Sequence, residues 1–311
     1  MSSFNKVGGR YGMHSGSAKF KNLQVDQNMW VNGNSIGPVS PGQTWFVNSA
    51  VNASGTGASW DLAFKSIAEA VDVAGANGDT IYVAPGDYEI SEAIDITTNN
   101  LKIIGPNKSC NDYSALVYND DAFNIFEIDA NNISIIGLGI ATADDAGVGV
   151  AIGGTTSSYK VYIANCRFDG WDKGTYAITT DDTQDCPDLT VEDCLFRSWT
   201  TGCIYANSTR SMYRNNVFFV STDTMGIQYV PTTGSRPDGI IMDNKFIGLA
   251  NASTTAIAMT GTPTAGNLII ASNLLAGSWD VTIEAESTDA GVENYEGSTT
   301  GGSLIDCNSS A

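Results

Sequence analysis

One short pattern recurs six times between residues 132 and 275, and it constrains the fold more than any other feature of the chain. The copies are residues 133–140, 161–168, 189–196, 211–218, 239–246 and 268–275. Their last residues stand 28, 28, 22, 28 and 29 positions apart. Such spacing is typical of solenoids, in which each copy forms one coil of a continuous stack.

Each copy begins with the alternation of a β-strand, because its first and third residues are mostly apolar and the residue between them is mostly polar or short. The alternation breaks at the fifth residue, for which Gly, Asn and Asp tolerate the left-handed backbone region best. We therefore predict a tight corner there, after which the sixth and eighth residues both point inward. The predicted corner residues are Gly137, Asn165, Asp193, Asn215, Asp243 and Ser272.

Stacking the coils about 4.8 Å apart places like residues in columns. The eighth positions predict a ladder of Phe and Leu. The sixth positions predict an interior column of Asn216, Asn244 and Asn273 next to the free thiols of Cys166 and Cys194. A buried amide without a partner costs about 1–3 kcal/mol, so these amides should bond to one another or to the corner backbone.

A left-handed corner followed by stacked Asn resembles the pectate-lyase-like superfamily over roughly residues 46–296. The resemblance implies an all-β fold, a single-stranded right-handed parallel β-helix of about nine coils. We expect an N-terminal capping helix and an extended N-terminal arm as well. The resemblance concerns the fold and carries little information about chemistry.

A single amphipathic helix is predicted at residues 61–74, with Asp61 at its start and Gly75 and Gly78 after its end. A helix at this place would cover the apolar end of the stack. Residues 78–88 then form the first coil. Together with the helix, they resemble the opening segment of many pectate-lyase-like β-helices.

Three regions are predicted along the chain: an N-terminal arm and stem (1–41), a parallel β-helix (42–296) and a C-terminal tail (297–311). Two short strand units in the stem, at residues 23–25 and 29–31, resemble the repeats of trimeric phage fibre and spike stems. The resemblance implies attachment and trimerisation through residues 1–40. An ordinary hairpin packed on the next domain is the alternative.

The chain has a formal net charge of −19 and a pI near 4.1, so we predict neither nucleic acid nor an anionic membrane as a partner. An acidic surface is equally typical of proteins from a salty medium. The first residues contain no apolar run like that of a signal peptide, and we expect no export by the ordinary secretory route. No run of about 18 apolar residues predicts a membrane span.

The best candidate for chemistry is a carbohydrate patch on two neighbouring coils, formed by Asp169, Trp171, Asp172, Arg197 and Trp199. Both Trp residues stand three positions after the last Phe of their copy, which predicts a stacked aromatic platform for sugars. The alternative is a structural Trp stack with solvated acids in the turns. We predict no catalytic residue.

No cofactor or metal site is predicted. The single imidazole, His14, rules out a His-based metal site and a Ser-His-Asp triad. The acid pairs in loops (Asp120-Asp121, Asp144-Asp145, and Asp181-Asp182 with Asp185) leave Ca²⁺ open, although no Asp-x-Asp-x-Asp-Gly loop occurs.

The outward positions of the repeat become more apolar along the axis, which usually marks a partner surface. They are Ser134, Tyr162, Thr190, Met212, Ile240 and Ile269. Together with the stem, this row favours a phage virion structural protein. It would be a capsid-decorating or spike-like homotrimer that contacts other virion proteins through residues 1–40 and binds host glycans. The alternative is a carbohydrate-active enzyme: a tailspike depolymerase, a polysaccharide lyase or a glycoside hydrolase.

Overall fold

A computed structural model describes residues 29–31, 34–36, 42–154, 157–181, 186–221, 224–230, 239–249, 255–259, 268–277, 279, 281–284, 290–292, 294–297 and 303–305. The chain divides into two units, Met1–Ser40 and Pro41–Ala311. In the first unit, Met29–Val31 (β1) and Asn34–Ile36 (β2) form an antiparallel hairpin. The other predicted stem strand, residues 23–25, lies outside the described residues.

The second unit is built almost entirely of short strands, most of them three to five residues long. In its first half these are β3 (Thr44–Val47), β4 (Thr80–Val83), β5 (Gly86–Glu89), β6 (Ile94–Ile96), β7 (Lys102–Ile104), β8 (Ala115–Asn119), β9 (Phe126–Ile128), β10 (Ile133–Ile136), β11 (Gly139–Thr142), β12 (Val148–Ile152), β13 (Val161–Ala164), β14 (Arg167–Asp169), β15 (Tyr176–Thr180) and β16 (Thr190–Glu192). In its second half they are β17 (Leu195–Arg197), β18 (Gly202–Ala206), β19 (Ser211–Arg214), β20 (Val217–Val220), β21 (Met225–Tyr229), β22 (Gly239–Met242), β23 (Lys245–Gly248), β24 (Thr255–Met259), β25 (Leu268–Ala271), β26 (Leu274–Gly277), β27 (Val281–Glu284), β28 (Ala290–Val292), β29 (Asn294–Gly297) and β30 (Ser303–Ile305).

These strands form three sheets that wind around one core. Sheet 1 runs β3-β4-β7-β10-β13-β16-β19-β22-β25-β28, sheet 2 runs β5-β8-β11-β14-β17-β20-β23-β26-β29-β30, and sheet 3 runs β6-β9-β12-β15-β18-β21-β24-β27. Neighbouring strands are parallel, except that β30, inside the predicted tail, pairs antiparallel with β29. The predicted right-handed parallel β-helix is confirmed. The coil count differs: the described strands give eight complete coils rather than about nine, and six consecutive coils carry the repeat.

The predicted corners are confirmed, because all six fifth-position residues have positive φ angles, from 53° at Asn165 to 69° at Gly137. A second column of left-handed residues stands at the start of the sheet 1 strands and was not predicted. It comprises Asn100, Asn132, Lys160, Asp188 and Arg210. In the coils of β10, β13, β16 and β19, two tight bends therefore bracket the sheet 1 strand.

The interior columns are confirmed. Phe168, Phe196, Phe218 and Phe246 stack almost flat, with ring centroids 4.9, 4.8 and 4.6 Å apart. These rings are completely buried. Van der Waals and hydrophobic contacts therefore continue without a break through the four coils that carry these rings.

The asparagine column is fully hydrogen-bonded between coils. Asn244 Oδ1 accepts hydrogen bonds from the backbone N and the Nδ2 of Asn216, and Asn273 Oδ1 accepts the same pair from Asn244, all at 3.0 Å. Each Nδ2 also donates to a backbone carbonyl of the preceding coil at 2.9 Å. At the start of the column, Asn216 Oδ1 accepts from the backbone N of Cys194. Cys166 and Cys194 are buried thiols.

The capping helix exists but is shorter than predicted. A 3₁₀ turn covers Trp60–Leu62, and α1 covers only Ile67–Val73. Ser66, not Asp61, caps α1, because Ser66 and Glu69 form a reciprocal capping box. Asp79 ties the helix end to the stack by accepting hydrogen bonds from Gly75 N, Gln43 N and Trp45 Nε1.

Candidate functional site

A cleft of about 300 Å³ lies on the outer face of sheet 2. The strand alternation turns Phe168 and Phe196 inward, so Arg167, Asp169, Leu195 and Arg197 project from the opposite side. The cleft is lined by Asn111, Arg167, Asp172, Leu195, Arg197, Ser198, Phe219, Ser221 and Leu249. Two members of the predicted patch, Asp172 and Arg197, therefore face one cavity.

The long excursion before β8 supplies one wall of this region. Tyr113 from that excursion lies against sheet 2 at Gly139, where an added Cβ would stand 2.6 Å from the Tyr113 ring. Ala141 is the next outward residue of the same strand and is also small. Small residues on this coil thus leave room for the excursion to lie flat on the sheet.

Asp169 does not line the cleft but contacts two arginines that do, and it is only 3% exposed. Its Oδ2 accepts a hydrogen bond from the Tyr113 hydroxyl at 2.7 Å and pairs with Arg197 Nε at 3.1 Å. A weaker contact of 3.7 Å joins the same oxygen to Arg167 Nη2. Its Oδ1 accepts from the backbone N of Trp171 at 3.2 Å. Both carboxylate oxygens are therefore engaged by the protein.

Arg167 and Tyr113 form the rest of this network. The Arg167 guanidinium carbon lies 3.8 Å from the centroid of the Tyr113 ring, a cation–π contact. Burial, followed by the hydrogen bond to Asp169 and the charge of that carboxylate, raises the pKa of the Tyr113 hydroxyl well above its usual value. Tyr113 therefore stays a neutral donor that covers Asp169.

The predicted aromatic platform is wrong. Trp199 is only 2% exposed and belongs to the core, because Gly170 and Gly174 of the preceding coil leave space for its ring. Trp171 points elsewhere: it is 38% exposed and contacts Tyr118, with ring centroids 5.9 Å apart. The two indoles therefore do not form a shared surface.

Left-handed backbone also occurs at the rim of the cleft. Trp171, Asp172 and Ser198 have φ angles of 47°, 60° and 59°, a region that non-glycine residues enter at a cost. These three residues stand outside the two corner columns. The Asp172 backbone N donates to the Ser198 carbonyl at 2.8 Å, which links the two turns.

The acid pair Asp144-Asp145 has local structural roles. Asp144 accepts a hydrogen bond from the Ala146 backbone N, and Asp145 pairs with Lys173 at 3.0 Å on the surface. Asp182 and Asp185 lie outside the described residues. Within the described part of the chain, no three His, Cys, Asp or Glu side chains gather as a metal site, and no helix is long and apolar enough to cross a membrane.

The site offers binding chemistry more readily than catalysis. One N–H group of Arg197 is paired with Asp169, which leaves the other four N–H donors of its guanidinium for the cleft. Asp172 adds an acceptor, and Leu195 and Phe219 add apolar surface. Sequence reasoning missed Arg167 and Tyr113. Arg167 could have been found, because it stands two positions before Asp169 on a strand and so projects from the same face.

Comparison with known proteins identifies the fold. No protein-family model matches the chain, and no curated protein matches it. Pectin methylesterase PemA from Erwinia chrysanthemi is similar in structure, with a TM-score of 0.56 and 15% identity over 76% of this chain and 80% of that chain. The mannuronan C-5 epimerase AlgE4 A-module from Azotobacter vinelandii gives a TM-score of 0.51 and 13% identity over 80% of this chain and 76% of that chain. Both are right-handed parallel β-helix proteins, and at this identity the likeness concerns the fold alone.

Proposed function

We propose that this protein is a glycan-binding β-helix without catalytic activity and that it works on the surface of a phage virion. The observation that carries the glycan-binding part is the cleft on sheet 2. It combines free guanidinium donors of Arg197, the carboxylate of Asp172 and the apolar side chains of Leu195 and Phe219. Sugars present hydroxyl groups at the ring edge and C–H groups on the ring face, and a mixed lining of this kind fits both.

The size of the cleft suits a small ligand. A volume of about 300 Å³ is at the lower end for ligand pockets, which suits one or two sugar residues of a longer chain. The two structural neighbours are named for pectin and for mannuronan, which are polysaccharides. Those names agree with a glycan as ligand, although the fold does not establish it.

The state of Asp169 favours binding over catalysis. A nucleophile or general base needs an oxygen within hydrogen-bond reach of the substrate. Asp169 is covered by Tyr113 and paired with Arg197, and its second oxygen accepts from the backbone of Trp171. A carbohydrate-active enzyme is the second candidate, because Asp172 and Arg197 do face the cleft. It would require Tyr113 to move away from Asp169.

The virion part of the proposal rests on the sequence. The stem resembles fibre repeats, and residues 1–40 would attach the protein to other virion proteins as a homotrimer. An acidic chain without a basic cluster fits a surface role and not a nucleic-acid role. Mass spectrometry of purified virions that encode this chain should detect it as a structural component. Its presence only in the infected-cell lysate would contradict this part.

A panel of neutral and acidic polysaccharides tests the glycan part. We expect binding without release of reducing ends or unsaturated uronates. Phe219→Ala should weaken binding about tenfold, because it removes apolar contact area from the cleft wall. Val217→Ala is the matched control, since Val217 projects from the same strand but does not line the cleft.

Two outcomes would contradict this reading. Equal binding by wild type and Phe219→Ala would remove the cleft as the site. Turnover that disappears in Asp169→Asn would show an enzyme and would favour the second candidate.

A further inference from the structure

The outer face of sheet 1 is a second surface, separate from the cleft, and it is long, flat and largely apolar. From β4 to β25, eight parallel strands each turn two residues outward. At the C-terminal end these residues are Met212, Arg214, Ile240, Met242, Ile269 and Ala271, of which five are apolar. Ile269 is 41% exposed and Tyr82, near the other end, is 40% exposed. Apolar surface in such a continuous row is unusual on a monomer.

The charge of this face differs from that of the chain. Its outward positions between β4 and β25 include three charged residues, Lys102, Glu192 and Arg214, which sum to one positive charge. Glu192 is bonded to both Tyr162 and Arg214 within the face. The whole chain carries −19, so most of the repulsion between two copies must come from other surfaces. The carboxylates of Glu192 on this face and of Asp188 beside it are paired with Arg214 and Arg210, so two copies can meet here without placing unpaired Glu192 or Asp188 carboxylates against each other.

The face has a hollow near its C-terminal end. The hollow, of about 470 Å³, is lined by Asp188, Thr190, Arg210, Ser211, Met212, Gly239, Ile240 and Ile269. Its one carboxylate, Asp188, is paired with Arg210, with Asp188 Oδ1 and Arg210 Nε 2.8 Å apart. A twofold axis through the face would set this hollow opposite the same residues of the other copy, as an isologous interface requires.

The area is sufficient for such an interface. Seven strand spacings of about 4.8 Å and four residues of about 3.3 Å give a flat footprint of about 450 Å² per copy. Side chains make the surface uneven and so increase its accessible area, and two such faces together would bury about 1,000 Å². That value is the lower limit for a specific protein–protein interface.

We propose that the outer face of sheet 1 is the surface through which a second copy of this chain binds, face to face about a twofold axis. The proposal does not depend on the glycan cleft, which lies on sheet 2. It also differs from the predicted trimerisation through residues 1–40, because it assigns self-association to the β-helix itself.

Light scattering on the full chain over a range of concentrations tests the proposal. We expect the mass to double as concentration rises, from one chain to two, or from three chains to six where residues 1–40 hold a trimer. Ile269→Asp should weaken self-association at least about tenfold, since it buries a charge in the pair. Leu274→Asp is the matched control, because Leu274 is 42% exposed, against 41% for Ile269. It lies on β26, the next strand along the chain, which belongs to sheet 2 and not to sheet 1. This variant should leave the mass unchanged.

Salt gives a second readout. Added NaCl should strengthen the pair, because it screens the repulsion between two acidic bodies while the apolar contact remains. Thermal unfolding followed by circular dichroism verifies folding. If Ile269→Asp does not fold, Thr190→Arg replaces it, because Thr190 is half-buried and lines the hollow. A monomer or a trimer at all concentrations, an oligomer that neither face variant weakens, or equal loss with Leu274→Asp would overturn the proposal.

Discussion

The inside and the outside of the same strands follow different rules. Along sheet 2, the inward residues repeat, from Ile140 through four Phe residues to Leu275. Among the outward residues one position earlier, no two from consecutive coils are alike. They are Gly139, Arg167, Leu195, Val217, Lys245 and Leu274. The strands and register are shared, so the difference comes only from which side of the sheet a side chain faces.

This contrast separates fold from function. Residues of an interior column must be similar from coil to coil, because each buried ring or amide contacts the residue at the same position of the next coil. An outward side chain meets solvent and is free to vary. The departures from repetition on the outer face of sheet 2 shape the cleft and the network beside it. Arg167, Leu195 and Arg197 line the cleft, Gly139 makes room for Tyr113, and Asp169 contacts both arginines.

The largest expected effect comes from two adjacent residues that face opposite ways. Phe218→Ala removes one fully buried ring from the ladder and should lower the free energy of unfolding by about 3–5 kcal/mol. Phe219→Ala, one residue later on the outer face, should cost less than about 1 kcal/mol. Urea unfolding of both variants measures the difference, and equal losses would show that the two sides do not differ.

The asparagine column should be nearly as sensitive. Asn244→Ala leaves the Asn216 amide and backbone N without their acceptor, and we expect a loss of about 3 kcal/mol in unfolding free energy. Asn124→Ala removes an exposed side-chain bond to Glu127 and should change stability by less than about 0.5 kcal/mol. The same urea titration compares the two, and a tolerant Asn244→Ala would mean that the ladder does not stabilise the stack.

A smaller effect is expected at the outer network. Tyr113→Phe removes the hydrogen bond to Asp169 and should cost about 1–2 kcal/mol near pH 7. The folded-state pKa of Tyr113 is raised, so its contribution is present below the unfolded pKa of about 10 and is lost as pH rises through the folded value. The stability gap between wild type and Tyr113→Phe should therefore narrow above pH 10. A gap that widens with pH would contradict the neutral-donor role.

The sequence predicted the coils because their repetition is local. Gly, Asn and Asp tolerate the left-handed backbone region best, and one of them stands at the fifth position of most copies. All six predicted corners form. The second corner was missed because its column includes Lys160 and Arg210, residue types without that preference. The start of α1 was also missed, although Ser66 and Glu69 carry the spacing of a capping box.

The site was harder to predict because its contacts are not local. Tyr113 lies in an irregular excursion 56 positions before Asp169 in the sequence, and nothing in the repeat predicts that contact. The matched positions of Trp171 and Trp199 suggested one platform, yet a left-handed backbone at Trp171 and two glycines beneath Trp199 turn the rings apart. Equal spacing gives the coil to which a residue belongs but not the direction of its side chain after a bend.

Calorimetric titration of the best glycan into Arg197→Met tests most directly whether these outward departures carry the function. Arg197 contributes charge-assisted donors, so affinity should fall at least about tenfold. Lys245→Met, an exposed cation on the same outer face but outside the cleft lining, is the control and should bind as wild type does. Unchanged affinity in Arg197→Met, in a variant that still unfolds cooperatively, would contradict the proposed function of the cleft.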